Sequence, residues 1–455
     1  MPQTKYSIVD FTVVQGGLET TYATPPGSLV TLPVYNATEP LVTHQQGSEA
    51  IELANSSLSP SQFYVTEPTV RFSATTYVYC SDPANPPPWA SIMLPPSGFL
   101  KAKYSGTAPT LTGAGSINLT TSQSADPGGL PNGTYKYTVA IVNDRTHPTN
   151  PGDQTPADQT GVSVNVSGGP SAVTLSMNAP AANTFYRIYR TEVGGSVFYH
   201  LADLAPGENS YVDTVQDNQL NHSIVAPGSS RVGHVYFVPK SEHFDSLYME
   251  VFMHGHKCPL AGARGTWTMD AESGRAVATR WDITGLYLQA QPATNPSIGG
   301  LNPGIPFIFR SASVGLYRYG GPKIGTATAP LVVKSFSLSP GTQVENRRDA
   351  QSQTGVIEIG IHRRFDSRFE LVIEVPRQFS TDQFDAVHWY DQMAEFNCVM
   401  TFGTANAKVN FIMPRLQLSE APAVTNQDNG ILSWRAVFRP RSLFTDDWLR
   451  IEFSN

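Results

Sequence analysis

Charge is the scarcest ingredient of this chain. Asp, Glu, Lys and Arg make up 15% of its 455 residues, against about 25% in an ordinary soluble domain. The little there is sums to −7, which disfavours tight nucleic-acid binding, since that needs surfaces lined with Lys and Arg. Cysteine is almost missing too. Cys80, Cys258 and Cys398 are odd in number and scattered, so they are expected reduced and buried, as in a chain folded in a cytosol. No stretch approaches the ~20 apolar residues of a membrane span. The opening MPQTKYSIVDFTVVQGG has no apolar core of about 7–15 residues, so no secretory signal is expected. Nucleophile elbows, phosphate loops and dinucleotide fingerprints are absent. Asn-x-Ser/Thr triplets, at Asn36, Asn55, Asn118, Asn132, Asn165 and Asn221, are expected by chance in a chain rich in Ser and Thr.

Turn formers are abundant instead, with 37 Gly and 36 Pro. That profile implies many short strands joined by turns, a mainly β fold, in a chain long enough for two or three domains. Residues 247–287 are the clearest case. Tyr248, Glu250 and Phe252 alternate with Leu247, Met249, Val251 and Met253, a His-Gly turn follows, and a second reversal is expected at Gly262–Gly265. Glu272-Ser273-Gly274 then turns the chain into a strand from Ala276 to Thr284, glycine supplying the positive φ of tight reversals. TVRFSATTYVY (69–79) puts Val70, Phe72, Ala74, Thr76 and Val78 on one face.

The order Tyr-x-x-Pro, strands, Gly-Ala-Arg-Gly-Thr, a Gly turn and a strand ending Thr-Gly-Leu resembles the tail tube (major tail) proteins of long-tailed bacteriophages. VVKSFSLSPGTQVENR, IEIGIHRRFDSRFELVIEV and MPRLQLSEAPAVTNQDNGILSWRAVFRP extend the likeness over roughly residues 1–105 and 229–455. Each motif is loose; their order carries the likeness. It implies two tail-tube-type β-sandwich or barrel domains, each with a short helix: residues 1–108 continued by 229–325, then 326–455. One helix is expected around Trp89–Met93, before Gly98-Phe99. The other is read over 380–396, with a cap at Ser380 or Thr381 and a face of Phe384, Val387, His388 and Asp391. The resemblance carries over its core, 382–395, as packing across the sheet.

Residues 109–228 read as an insertion. After a small-residue stretch in which only Leu111, Ile117 and Leu119 suit a core, GTYKYTVAIVND, GVSVNVSG, AVTLSM, TFYRIYRTE, VFYHLADL and NSYVDTV follow at the spacing of a sandwich. They resemble fibronectin type III-like and related immunoglobulin-like modules, with Tyr186, Ile188 and Tyr211 near the core.

Candidates for chemistry are few. His254, His256 and Cys258 alternate, but Gly255 implies a turn, and zinc sites use separated ligand pairs. Nothing sets Asp245, Glu250, Asp270 and Glu272 face to face for sugar hydrolysis. His362, Arg363, Arg364, Arg368, Arg347 and Arg348 are interleaved with Glu345, Asp349, Asp366 and Glu370, which reads as ion pairing. No catalytic, cofactor-binding or metal residue is expected. Gly262 and Gly265 are expected to serve backbone geometry. Arg264 is open between an anchor to a neighbouring subunit and a turn arginine in solvent.

The function expected from the resemblance is structural. Copies of the chain would form a ring, a homotrimer with pseudo-six-fold symmetry, stacked into the virion's tail tube after assembly in the host cytoplasm. Tape measure and other tail proteins would be partners, with double-stranded DNA passing through the lumen without specific binding and no membrane involved. Loops at 12–50 and 340–355 would bridge rings, and the insertion would decorate the outside. Alternatives are a terminator or baseplate ring, or a carbohydrate-binding or hydrolysing protein.

Overall fold

Short alternating runs and frequent turn residues become antiparallel ladders in the computed structural model. It describes the chain apart from residues 1–11, 36–41, 51–62, 114, 145–146, 148–149, 151, 229–232, 239–243, 254, 298–303, 311, 320–322, 326–329, 350–355, 363–365, 377–383, 405–406, 428–430 and 443–447. Strand β1 (Val13–Leu18) pairs with β2 (Val30–Leu32), and β3 (Val42–Ala50) with the long β4 (Phe63–Tyr77). The stretch 12–50, expected as a loop, therefore contains three strands. VVQGGL does not alternate, and its strand character comes from a partner far along the chain, Leu247–Phe252. Val70, Phe72, Ala74, Thr76 and Val78 are buried as their alternation implies. Helix α1 (Pro88–Ser91) begins on proline, where a missing N–H leaves nothing unsatisfied. Its buried Trp89 donates its indole N–H to the Tyr79 carbonyl at 3.0 Å. Strand β5 (Leu100–Lys103) follows.

The inserted residues form β6 (Thr120–Leu130), β7 (Gly133–Asn143), β8 (Val162–Val166), β9 (Ser171–Ser176), β10 (Thr184–Thr191), β11 (Phe198–Asp203), β12 (Ser210–Asp213) and β13 (Asn221–Val225). Two sheets, ordered β13-β11-β10-β7-β8 and β12-β9-β6, enclose a core including Leu111, Leu119, Tyr135, Tyr137, Tyr186 and Ile188, with Ile117 and Tyr211 at its margin. It is a β-sandwich. Its first strand lies beside its fourth, whereas immunoglobulin sandwiches set the first beside the second. Arg190 runs fully buried through this module. It donates to Asp213 at 2.8 Å and Asp217 at 2.7 Å, while the Tyr137 hydroxyl donates to Asp213 at 2.8 Å. The sandwich is seated on the rest of the chain: Phe198, Ile224 and Ala226 pack with Ile412, and His222 stacks on Tyr317 at 5.4 Å.

The chain continues as β14 (Gly233–Phe237), β15 (Leu247–Met253), β16 (His256–Glu272), β17 (Ala278–Tyr287), β18 (Gln291–Pro292), β19 (Ser313–Arg318), β20 (Val333–Ser339), β21 (Val344–Arg348), β22 (Val356–Ile361) and β23 (Arg368–Glu374). Helix α2 (Ala386–Asp391) precedes β24 (Glu395–Thr404), β25 (Ala407–Leu418), β26 (Ala423–Gln427), β27 (Ile431–Arg441) and β28 (Arg450–Ser454). One run of neighbours is β2-β1-β15-β16-β17-β4-β3. From the far end of β16 a second run continues, β20-β23-β27-β25-β28-β14-β5, with β24 and β19 on the other edge of β25. The closing strand β28 thus lies between β14 and β25. A single hydrophobic core joins Phe72, Trp89, Trp267 and Trp281 to Phe369, Phe411, Phe438 and Phe453, so both sides of residue 325 contribute to it.

Helix α2 is shorter than expected. Asp385 caps it by accepting the His388 N–H at 3.3 Å, and residues 377–383, including Ser380 and Thr381, lie outside the described set. Met393, at φ +50°, turns the chain into β24 and ends the helix. Its buried face is Ala386 and Trp389, next to Phe384, while Val387 is 46% exposed. The apolar stripe expected through Val387 and His388 is therefore displaced.

Candidate assembly site: a clamped ribbon and an open ribbon

Strand β16 does not reverse at Gly262–Gly265. It runs unbroken for 17 residues and absorbs the glycines in a bulge, where pairing with β17 slips between Ala261 and Arg264. Gly262 stands at φ +58°, and a Cβ there would lie 2.4 Å from the Tyr22 ring. Its N–H donates to the Glu19 carboxylate at 2.8 Å. Glu19, itself buried, also accepts from the Ala23 N–H at 2.8 Å and the Ser246 hydroxyl at 2.6 Å. At Gly265 a Cβ would lie 2.2 Å from the Asp282 carbonyl of β17. Both glycines serve backbone geometry, as a bulge and a close approach of strands.

The bulge aims Arg264 beneath the ribbon β21–β22, which is a two-stranded sheet of its own. One terminal nitrogen, Nη1, donates to Glu358 at 2.8 Å and to the Ile359 carbonyl at 2.7 Å. The other, Nη2, donates to the Phe244 carbonyl at 2.7 Å. The guanidinium lies 5.5 Å from the centre of the Tyr22 ring, whose hydroxyl oxygen accepts the Ile359 N–H at 2.7 Å. Arg264 is 8% exposed. It is neither a solvent arginine nor, in this chain, a free anchor: it clamps the ribbon to its own body. Burial pushes the Tyr22 hydroxyl up to about 12. Burial would raise the Glu358 carboxyl as well, but its bonds to Arg264 and Arg347 hold it below the ordinary carboxylate value.

A second ribbon leaves the β4–β3 edge of the sheet. Strand β17 covers β4 only from Thr69 to Tyr77, yet β3 continues beside β4 through Gly47–Ala50 against Phe63–Thr66. Beyond Thr69, β3 is the only partner of β4 among the described residues. Such a two-stranded extension offers two rows of backbone donors and acceptors, a template for pairing with another chain.

The remaining candidates are dispersed. Among the described residues no group of three or more His, Cys, Asp and Glu is placed to hold a metal, and His254 lies outside them. Glu250 is bonded by the Tyr248 hydroxyl and by Lys257, each at 2.9 Å. Asp245 sits beside Arg264, its carboxyl raised by burial. Asp270 and Glu272 line an open groove with Arg275 and Lys334. Of the charges expected to pair with one another, Arg368 meets Glu370 at 3.4 Å and His362 lies 4.0 Å from Glu345, whereas Arg347 pairs with Glu358 at 3.2 Å and Asp366 with Arg439 at 3.6 Å, two partners outside the expected set. Arg363 and Arg364 lie outside the described residues. Cys398 is buried, and Cys80 and Cys258 are half-buried.

A scan of protein families and a search of curated proteins each find no match to this chain. Sequence reasoning missed Glu19, Tyr22 and Glu358, the partners of the clamp. No local pattern joins three residues so far apart; only the bulge brings them together.

Proposed function

We propose that this chain is a structural subunit that self-assembles into rings and stacked tubes, as a tail tube protein of a long-tailed bacteriophage. The observation that carries the reading is the β3–β4 ribbon, which outruns its own sheet and leaves backbone groups open for a neighbour. Edge-to-edge addition of such ribbons closes a ring when the rotation between copies closes. In this reading the ribbon β21–β22, held from below by Arg264, faces the next ring. The body acts as two tube-type units, so three chains give a pseudo-six-fold ring. The sandwich of residues 109–228, a fibronectin type III-like module by its aromatic strand motifs, faces outward. Arginines paired with acids within the chain are poor phosphate ligands, which suits a lumen that lets double-stranded DNA pass. Tape measure and other tail proteins are the remaining partners, in a virion tail assembled in the host cytoplasm. No helix of the described residues is long and apolar enough to cross a membrane.

The test is a shortened variant in which residues 46–67 are replaced by a Gly-rich turn. Sedimentation velocity should show wild-type protein forming large species as concentration rises, and the variant remaining a folded monomer. A variant that assembles as readily as wild type contradicts the proposal.

A further inference from the structure

Where the sandwich meets the body the two surfaces enclose a cavity of about 420 Å³, a size suited to a small ligand. Phe185 and Phe237, both half-buried, supply apolar wall; Arg187, Arg450 and Lys103 supply positive charge, against the acids Asp203 and Asp144. Arg187 is already satisfied. Its fork holds Asp203 at 2.7 and 2.6 Å, and its remaining nitrogen donates to Gln154 at 3.1 Å. Asp203 also meets the His200 ring nitrogen at 3.0 Å, so this carboxylate is committed as well. Arg450 differs. It is 7% exposed, its Nε has no hydrogen-bond partner, and no side-chain acceptor among the described residues pairs with it. An unpaired buried cation is costly and rare unless something outside the chain pairs with it.

We infer that this seam binds a small organic anion, with its carboxylate or phosphate on the Arg450 guanidinium and its apolar part against Phe185 and Phe237. A planar guanidinium matches either oxyanion in a two-point contact. The ligand touches both the insertion and the body, so its binding would fix one against the other. The inference does not depend on ring formation.

Calorimetry and ligand-observed NMR on the full chain test it with three probes: benzoate, phenyl phosphate and the neutral isostere benzyl alcohol. Benzoate or phenyl phosphate should bind, benzyl alcohol should not, and Arg450→Gln should weaken the anion at least about tenfold, the scale of one lost charge-assisted contact. The tighter of the two anions identifies the headgroup. Absence of binding by both anions up to about 10 mM, or equal binding by Arg450→Gln, overturns the inference. Folding is controlled with Arg450→Met, which should melt no lower than wild type in anion-free buffer. Lower melting of both variants would show that the guanidinium is satisfied without a ligand, and would also overturn it.

Discussion

Arg264 directs three hydrogen bonds of 2.8 Å or less into its own chain. Arg264→Ala leaves Glu358 with Arg347 alone and takes this donor from two carbonyls, so it should lower unfolding stability by about 2 kcal/mol. Urea denaturation measures this, and a wild-type midpoint would refute the clamp. Gly265→Ala drives a methyl into the Asp282 carbonyl. It should cost about 3 kcal/mol, more than Gly262→Ala, where the obstacle is a side-chain ring and the added cost is the left-handed backbone. Tyr22 offers an optical readout. Its pKa is raised to about 12, so its proton stays on in the folded chain after the unfolded chain has lost it. The stability it contributes is therefore complete below about pH 10 and is lost as pH rises toward 12. Absorbance titration should show one phenol fewer near pH 10 in wild type than in Arg264→Ala, whose ribbon is released; equal counts would contradict this.

At the scale of elements, Asp203 makes the insertion acid-labile. Burial alone would raise its carboxyl, but the Arg187 fork and His200 overcome that and hold it well below the carboxylate range. A lowered native pKa gives stability that is present above the unfolded value and lost as pH falls through it. Thermal melting should therefore drop below about pH 4 in wild type and less steeply in Asp203→Asn; parallel curves would contradict the assignment. How much of this was legible depends on where each partner lies. Strand 69–79 and β7 to β12 of the insertion are readable from their alternating or aromatic runs, whereas β6 lies in a small-residue stretch and β13 carries no such run. The β15–β16 turn was readable from Gly255. The reversal expected at Gly262–Gly265 is a bulge instead, because glycine marks a bulge as readily as a turn and only pairing with β17 decides between them. β1 reads as loop in the sequence because its ladder partners begin only at Leu247. Helix α2 is shorter than the sequence suggests because Val387–Met393 contains no Gly or Pro to mark its end, and the left-handed backbone at Met393 turns the chain into β24. The Arg450 cavity had no sequence signal, since it exists only where insertion and body meet.

For the whole molecule, one hydrophobic core running from Val14 to Phe453 makes the body a single rigid platform for its ribbons. The closing strand β28, lodged between β14 and β25, ties the chain's end to strands on both sides of residue 325. Removing residues 450–455 should abolish cooperative unfolding, which calorimetry would show as loss of a sharp transition. The same platform is what a ring needs, since head-to-tail contacts close only when one fixed rotation relates each copy to the next. Electron microscopy of the purified chain at rising concentration would show whether such rings form. Hollow stacked rings are expected, with averages of three-fold symmetry and six similar lobes. A population that stays monomeric at every concentration would contradict ring assembly.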